Sequence, residues 1–200
     1  MGTVKSLLLG MCFVLGACTS QTSTVQTTEK GTQWEWQNGT IVVKTPERPA
    51  GQKSVLGLTT PKLEAVRVGF VGLGMRGPGA VERFTYIPGT QVVALCDYEE
   101  ARADKCQELL KKASMPKAAV YSGDKGYEEL CKRDDIDLVY IAADWLHHFP
   151  VAKCALENGK NVAIEVPSAM NLQECWDLIN LSESTRKHCF ILENCCYDWF

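Results

Sequence analysis

The sequence predicts an α/β protein built on a doubly wound parallel sheet. From Arg67 to Asn194, apolar runs of strand length alternate with segments whose apolar residues recur at helical spacing. That alternation is typical of parallel strands joined by helices that cover both faces of the sheet. One of these runs, at 137–142, is almost continuously apolar, as expected for a strand buried on both sides.

The first βα junction carries the most specific motif. An apolar run breaks into Gly72-x-Gly74-x-x-Gly77, and twenty residues later a second run, at 92–96, ends on Asp97. This is the pattern of a Rossmann-type dinucleotide-binding unit. Gly72 permits the tight turn, Gly74 lets a pyrophosphate approach the backbone, and Gly77 lets the helix pack closely. The phosphates then bind at the helix N-terminus, and Asp97 binds the adenosine ribose, which favours NAD over NADP.

The remaining elements follow from periodicity and from glycine and proline positions. Pro150 indicates a helix start and Gly159 its end. The predicted elements after Asp97 are a helix at 99–112, a strand at 118–121, a helix at 126–133, strands at 137–142 and 161–165 with a helix at 150–158 between them, a helix at 171–187 and a last strand at 188–194.

Ligands of such sheets bind beyond the carboxyl ends of the strands. This rule selects Met75 and Arg76 in the glycine loop, Asp97, residues 143–148, Glu165–Pro167 and Asn194. We expect Trp145 to pack on a flat ring and His148, or His147, to donate to a ribose or pyrophosphate oxygen. Glu165 and Asn194 are expected to hold the nicotinamide ribose and carboxamide. The alternative for the histidine pair is capping of a helix start at the surface.

The N-terminal part predicts export and lipid anchoring. Residues 1–17 combine Lys5 with a short apolar core and read as a signal peptide, and small residues precede Cys18 as in a lipoprotein cleavage box. Residues 18–44 are expected to form a polar tether, with a small hairpin at 34–43 around Asn38-Gly39. Residues 45–64, rich in proline, are expected to form an extended arm, and residues 65–196 the nucleotide-binding domain.

The composition argues against two classes of function, nucleic-acid binding and metal binding. The net charge is −3 and no basic stripe is visible, which argues against nucleic acid as a partner. Eight of the ten cysteines follow Cys18, without a Cys-x-x-Cys or paired ligands, so no metal site is predicted. Most of these cysteines fall at apolar positions and are interpreted as small buried hydrophobes.

Together these motifs resemble the glucose–fructose oxidoreductase and inositol dehydrogenase superfamily, and within it glycoside hydrolase family 109. The matching segments are Gly-Leu-Gly-Met-Arg-Gly-Pro-Gly at 72–79, Cys-Asp at 96–97, Ala-Asp-Trp-Leu-His-His at 143–148, Glu-Val-Pro at 165–167 and Leu-Glu-Asn-Cys-x-Tyr at 192–197. The resemblance implies NAD contacts at Met75, Arg76, Asp97, Trp145, Leu146, His147, His148, Glu165, Val166 and Asn194.

The resemblance also implies an activity, that of an NAD-dependent α-N-acetylgalactosaminidase. Enzymes of this family oxidise the sugar at C3, eliminate the C1 substituent, add water and reduce C3 again, so that NAD is regenerated in each cycle. Ordinary glycosidases use two carboxylates instead. The catalytic residues are expected in a substrate α+β domain beyond Phe200, of which residues 197–200 would be the start; Tyr197 is a candidate for sugar contact.

Two other functions stay open. The first is an NAD-dependent sugar dehydrogenase, but dehydrogenases of the superfamily carry Glu-Lys-Pro with a proton-shuttling lysine, where this chain has Val166. The second is a non-catalytic NAD-binding lipoprotein. The expected partners are a glycan or glycoside and, through Cys18, a bacterial cell membrane or outer membrane; a homo-oligomer is compatible with the sequence.

Overall fold

The computed structural model describes residues 26–27, 33–44 and 47–196. Contacts divide the chain into two compact units, Met1–Lys44 and Thr45–Phe200. The predicted signal segment, Cys18 and Tyr197 lie outside the described residues. Among the helices that are described, none has both the length and the apolar character needed to cross a membrane.

The first unit contains a small antiparallel sheet. Its strands are β1 (Gln26–Thr27), β2 (Gln33–Gln37) and β3 (Thr40–Val43), in that order. Asn38 and Gly39 both have positive φ, 49° and 77°, as a two-residue hairpin turn requires. The predicted hairpin is therefore confirmed. These strands lie within residues 18–44, and the assignment of that segment as a polar tether stays a prediction.

The second unit contains a six-stranded parallel sheet. Its strands are β4 (Val66–Val71), β5 (Thr90–Asp97), β6 (Ala119–Ser122), β7 (Leu138–Ile141), β8 (Asn161–Ile164) and β9 (Cys189–Ile191). They lie in the order β6-β5-β4-β7-β8-β9, so the chain builds one half of the sheet outward from β4 and then the other half outward from β7. This is the predicted doubly wound sheet, and its switch point lies between β4 and β7.

Over the described part of the chain, five helices cover the two faces of this sheet. They are α1 (Gly77–Phe84), α2 (Glu100–Lys112), α3 (Gly126–Cys131), α4 (Trp145–Glu157) and α5 (Leu172–Thr185). Residues of α1 and α2 form one apolar core with alternate strand residues such as Phe70 and Leu95. Residues of α3, α4 and α5 form the other, with Val139 and Ile164. Because side chains alternate along a strand, β4, β5, β7 and β8 each contribute to both cores.

Helix α4 begins earlier than predicted. The sequence places its start at Pro150, but the helix begins at Trp145, and Pro150 lies inside it. Asp144 caps this start, because its side chain accepts a hydrogen bond from the Leu146 amide at 3.0 Å. The missing amide of an internal proline costs about 3 kcal/mol. Burial of His148 and Val151 on the same helix offsets that cost.

The last strand is shorter than predicted. The sequence gives a strand over 188–194, whereas β9 ends at Ile191 and a 3₁₀ turn follows at Asn194–Cys196. Strand β8, its only partner among the described residues, ends at Ile164, which pairs with Ile191. Without a partner the chain has no ladder to continue, and it leaves the sheet.

The arm before β4 docks against α5. Arg48 donates to the Glu183 carboxylate at 2.7 and 2.9 Å, and Gln52 donates to it at 2.8 Å. From the other side, Arg186 donates to the carbonyls of Lys53 and Ser54. The arm has no helix or strand over 47–65, so these polar contacts hold it in place.

The cysteines only partly follow the prediction of burial. Cys96, Cys106 and Cys131 are buried, Cys154 and Cys189 are partly buried, and Cys175 and Cys196 are exposed. The interpretation as small buried hydrophobes therefore does not extend to Cys175 on α5 or to Cys196 in the turn after β9. Across the described residues, no group of three or more His, Cys, Asp or Glu side chains is arranged to hold a metal ion.

Candidate functional site

A cleft of about 560 Å³ lies at the carboxyl ends of the strands, where the chain segments after β4 and β7 lead to helices on opposite faces of the sheet. Its volume falls within the ~300–1,000 Å³ of small-molecule sites. The loops after β4, β5, β6, β7 and β8 all contribute to its walls. Eight of the ten predicted contact residues line it, namely Met75, Arg76, Asp97, Trp145, His147, His148, Glu165 and Val166.

The three motif glycines have distinct surroundings. Gly72 has φ +91°, and a Cβ there would lie 2.3 Å from the Ala143 backbone nitrogen. A Cβ on Gly77 would lie 2.2 Å from the Gly72 carbonyl oxygen. A Cβ on Gly74 would meet only one nitrogen of Arg102, at 3.5 Å. Gly72 and Gly77 are thus required by the fold of the loop, whereas Gly74 leaves an open backbone surface facing the cleft.

The start of α1 faces the cleft without a side-chain cap. Arg76 is the N-cap residue and its side chain makes no capping hydrogen bond, while Pro78 in the first turn has no amide hydrogen. The first backbone amide paired within the helix is that of Ala80, which donates to the Arg76 carbonyl. A helix start of this kind attracts anions, because its free amides carry partial positive charge.

Asp97 is fixed at the end of β5. Its carboxylate accepts a hydrogen bond from the Leu73 amide at 2.6 Å and from the Glu99 amide at 3.0 Å, and the side chain is 5% exposed. A carboxylate has about four acceptor sites, so it retains capacity for a ligand hydroxyl. Asp97 therefore ties the glycine loop to the end of β5.

The start of α4 presents His147 to the cleft. Its Nδ1 lies 2.6 Å from the Asp144 carboxylate, and its Nε2 lies 3.6 Å from Asp124. Burial acts to raise the pKa of Asp144, but the contacts with His147 and with the helix-start amides outweigh it, and the pKa is lowered. Asp144 is therefore a carboxylate at neutral pH that orients the His147 ring, leaving Nε2 on the cleft side.

His148 lies deeper and has a different environment. Its Nδ1 is 2.7 Å from the Pro167 carbonyl, its Nε2 is 2.9 Å from the Ala143 carbonyl, and the residue is 1% exposed. Neither nitrogen is left over for a ligand. Of the two histidines, His147 is the one with a ring nitrogen, Nε2, on the cleft side, and His148 joins α4 to the loop after β8.

Glu165 follows β8 and is held from below by Tyr140. The Tyr140 hydroxyl donates to the Glu165 carboxylate at 2.9 Å. Burial, followed by the Glu165 hydrogen bond, raises the pKa of Tyr140 to about 12, so the phenol keeps its proton at neutral pH. The next residue, Val166, is 42% exposed and lines the cleft beside Glu165.

Two predicted contact residues do not line the cleft. Leu146 is 74% exposed and does not line the cleft, although its neighbours Trp145 and His147 do. Asn194 lies in the 3₁₀ turn that replaces the end of the predicted strand. The early end of β9 is the physical reason, since it removes Asn194 from the row of strand ends.

With this geometry the chain matches a known family model over residues 66–192, that of an oxidoreductase family with an NAD-binding Rossmann fold. The chain belongs to this family. The match covers all six strands of the large sheet. The predicted fold and the predicted cofactor, NAD, are confirmed.

Curated relatives are similar over the whole chain. The chain is 81% identical over 201 residues to glycosyl hydrolase family 109 protein 4 of Phocaeicola vulgatus, and it covers 39% of that protein. It is 58% identical to glycosyl hydrolase family 109 protein 1 of Bacteroides thetaiotaomicron, and that match covers 98% of this chain and 41% of that protein. These relatives confirm the resemblance to family 109. The chain spans about two fifths of their length.

Solved structures share the fold. Myo-inositol dehydrogenase from Lactobacillus casei, in complex with NAD(H) and myo-inositol, has 25% identity and a TM-score of 0.53, over 60% of this chain and 34% of that one. Biliverdin reductase from Synechocystis sp. PCC 6803, in complex with biliverdin and NADP+, has 27% identity and a TM-score of 0.54. That match covers 63% of this chain and 37% of the reductase chain. Relatives of this fold thus bind either dinucleotide.

The residues in the cleft fit NAD. The open backbone at Gly74 and the uncapped start of α1 suit a pyrophosphate. Asp97 suits ribose hydroxyls, and the exposed indole of Trp145 offers a flat apolar surface on the cleft wall.

The sequence reasoning missed several lining residues. These are Tyr98, Arg102, Gly123, Asp124, Tyr127 and Val151. Gly123 and Asp124 directly follow β6, so the rule that selects the ends of the other strands would also have found them. Arg102, Tyr127 and Val151 lie on helices that fold back toward the cleft, and no local sequence signal marks them.

Proposed function

We propose that this chain forms the nucleotide-binding part of a glycosidase that hydrolyses terminal α-N-acetylgalactosaminides with NAD as a regenerated cofactor. The high identity to family 109 proteins over the whole chain supports this proposal. The chain covers about 39% of those relatives. The sugar-binding groups are therefore expected in the remaining part of such a protein.

The observation that carries the proposal is Val166 on the cleft wall. A dehydrogenase that releases a reduced cofactor needs a group that takes the proton of the oxidised hydroxyl. In the related dehydrogenases a lysine is expected at this position, directly after the glutamate. A valine cannot exchange a proton, which opposes a dehydrogenase of that kind. The oxidation at C3 in the proposed cycle also needs a base for the hydroxyl proton, and that base is expected in the remaining part of the protein.

Bound NAD would supply a hydride acceptor that later returns the hydride, so that the complete reaction has no net redox change. The residues of this chain bind and orient. Glu165, held by the neutral Tyr140 hydroxyl, would accept hydrogen bonds from ribose hydroxyls. His147 donates its Nδ1 proton to the Asp144 carboxylate, so its Nε2 would accept a hydrogen bond from a ribose hydroxyl. Such fixed partners hold a cofactor in one reactive geometry.

The test uses the protein from the complete reading frame, purified without added cofactor. It is incubated with an aryl α-N-acetylgalactosaminide in D₂O, and the released sugar is analysed for deuterium at C2. Release with deuterium at C2 is the expected result, because oxidation at C3 makes the C2 proton exchangeable. Free N-acetylgalactosamine incubated with the enzyme under the same conditions controls for exchange after release.

Two results would overturn the proposal. Release without deuterium at C2 would indicate a conventional hydrolytic mechanism. Net formation of NADH on free sugars, without release from the glycoside, would indicate a sugar dehydrogenase. A variant with Val166→Lys separates these cases further: if Val166 excludes proton transfer, this variant gains NADH formation on free sugars.

We further propose that the protein is an exported bacterial lipoprotein anchored through Cys18. The apolar segment before Cys18 and the small residues preceding it support this proposal. In a bacterial host, a labelled palmitate precursor should be incorporated into the wild-type protein and not into Cys18→Ser. Incorporation into both, or into neither, would contradict it.

A further inference from the structure

Arg102 lies at the adenosine end of the cleft beside Asp97. One of its guanidinium nitrogens is 3.4 Å from the Asp97 carboxylate, and the other donates to the Glu99 carboxylate at 2.8 Å. The first nitrogen is also 3.5 Å from the position of a Cβ on Gly74. Arg102 therefore sits over the glycine loop, where it lines the cleft and is 41% exposed.

This arrangement combines two opposite signals. An acidic residue at the end of the second strand of a Rossmann domain binds the ribose 2′-hydroxyl of NAD, whereas an arginine nearby accommodates the 2′-phosphate of NADP. Here Asp97 and Arg102 are both present and are in contact. The choice between the dinucleotides then depends on whether the guanidinium is available to a phosphate.

Glu99 limits the availability of the Arg102 guanidinium to a phosphate group. It binds Arg102 from the solvent side, so two carboxylates share one guanidinium. Together the three side chains carry one net negative charge, which repels a 2′-phosphate. Without the Glu99 charge the group would be neutral, and the Nη2 face of Arg102 would be free for a bidentate phosphate contact.

We propose that Glu99 and Arg102 determine dinucleotide selectivity: Glu99 keeps the Arg102 guanidinium engaged and thereby makes the cleft selective for NAD over NADP. The proposal rests on dinucleotide binding and not on the glycosidase activity.

The test compares Glu99→Gln with Glu100→Gln. Both variants remove one exposed carboxylate at the start of α2, but only Glu99 contacts Arg102. The Glu99 side chain makes no capping hydrogen bond to α2, so its amide replacement should leave the helix start intact. Dissociation constants for NAD+ and NADP+ are measured by calorimetry on nucleotide-free protein at low salt, and circular dichroism confirms folding.

For Glu99→Gln we expect NADP+ to bind about tenfold more tightly, with NAD+ changed less than about twofold. In Glu100→Gln both constants should stay within about twofold, because an uncoupled exposed charge is largely screened. Adding Arg102→Ala to Glu99→Gln should abolish the gain.

The proposal is overturned if Glu99→Gln leaves NADP+ binding unchanged, if Glu100→Gln gives an equal gain, or if the gain survives the loss of Arg102. It also fails if the wild-type protein binds NADP+ as well as NAD+. Failure of the glycosidase proposal would instead appear in the sugar-release experiment, with dinucleotide binding intact.

Discussion

Gly72 and Gly74 lie two residues apart in the glycine loop, yet an added methyl group would meet different surroundings at each. At Gly72 it would collide with the Ala142–Ala143 backbone, and the φ of +91° would be strained for alanine. At Gly74 it would make only an ordinary contact with Arg102 and would otherwise occupy the open surface of the cleft.

We therefore predict that Gly72→Ala destabilises the protein by roughly 2–4 kcal/mol, from positive-φ strain together with overpacking. Gly74→Ala should keep the wild-type melting temperature within a few degrees and weaken NAD binding about tenfold or more, equivalent to ~1.4 kcal/mol. Thermal unfolding and calorimetric titration of the two variants check this. Equal losses of stability in both would contradict the separate roles.

The cysteines differ from one another in exposure and, for the buried ones, in thiol pKa. Burial, with a smaller contribution from the Asp97 charge, raises the pKa of the Cys96 thiol to about 12 and that of Cys106 to about 11. Cys175 is exposed. Thiolate, and not thiol, reacts with alkylating reagents.

We predict that a maleimide labels Cys175 rapidly at neutral pH and leaves Cys96 and Cys106 unlabelled in the folded protein. Peptide mass spectrometry after timed labelling measures this, and labelling in denaturant provides the reference in which all three react. If Cys106 were labelled as fast as Cys175 in the folded protein, the Cys106 thiol would not be buried in solution, which would contradict the prediction.

The start of helix α4 shows how far a helix boundary can be predicted from the sequence. Proline is common in the first turn of a helix, which is why the sequence points to a start at Pro150. The stronger signal is Asp144, an N-cap residue followed by a buried histidine and Val151 at helical spacing. The burial of His148 depends on the neighbouring β8 loop, which supplies the Pro167 carbonyl to its ring. That contact cannot be read from the sequence near α4.

The arm at 47–65 depends on one buried carboxylate of α5. The hydrogen bond from Gln52 lowers the pKa of Glu183, burial acts in the opposite direction, and Arg48 lowers it further. Because folding lowers the pKa of this carboxyl group, its ionised form stabilises the fold at pH values above its ordinary pKa of 4.5. That stabilisation is lost as the pH falls through the lowered pKa of the folded protein.

We accordingly predict that Glu183→Gln loosens the arm at neutral pH and raises the rate of tryptic cleavage at Arg48 and Lys53 several-fold. Glu108→Gln, which removes an exposed carboxylate on α2, serves as the control and should leave the rate unchanged. In the wild-type protein, peptic cleavage near Leu56 should increase only below pH 4.5. An arm equally protected in Glu183→Gln would contradict this attachment.

At the scale of the whole molecule, the sheet was predictable because its determinants are local. Alternating strands and helices, the glycine motif and Asp97 specify a parallel doubly wound sheet, and the carboxyl-end rule then brings distant loops into one cleft. Met75, Asp97 and Glu165 meet there as predicted. Asn194 does not, because the length of β9 is set by its partner β8. Arg102 and Tyr140 were missed, because their roles depend on contacts between elements.

We expect this cleft to bind NAD through the loops at the strand ends. Hydrogen–deuterium exchange of the protein with and without NAD, resolved by peptide, tests it most directly. We predict slower exchange in peptides spanning 72–79, 97–102, 143–148 and 165–167, with no change in α5. Protection confined to other segments, or none at saturating NAD, would contradict the claim.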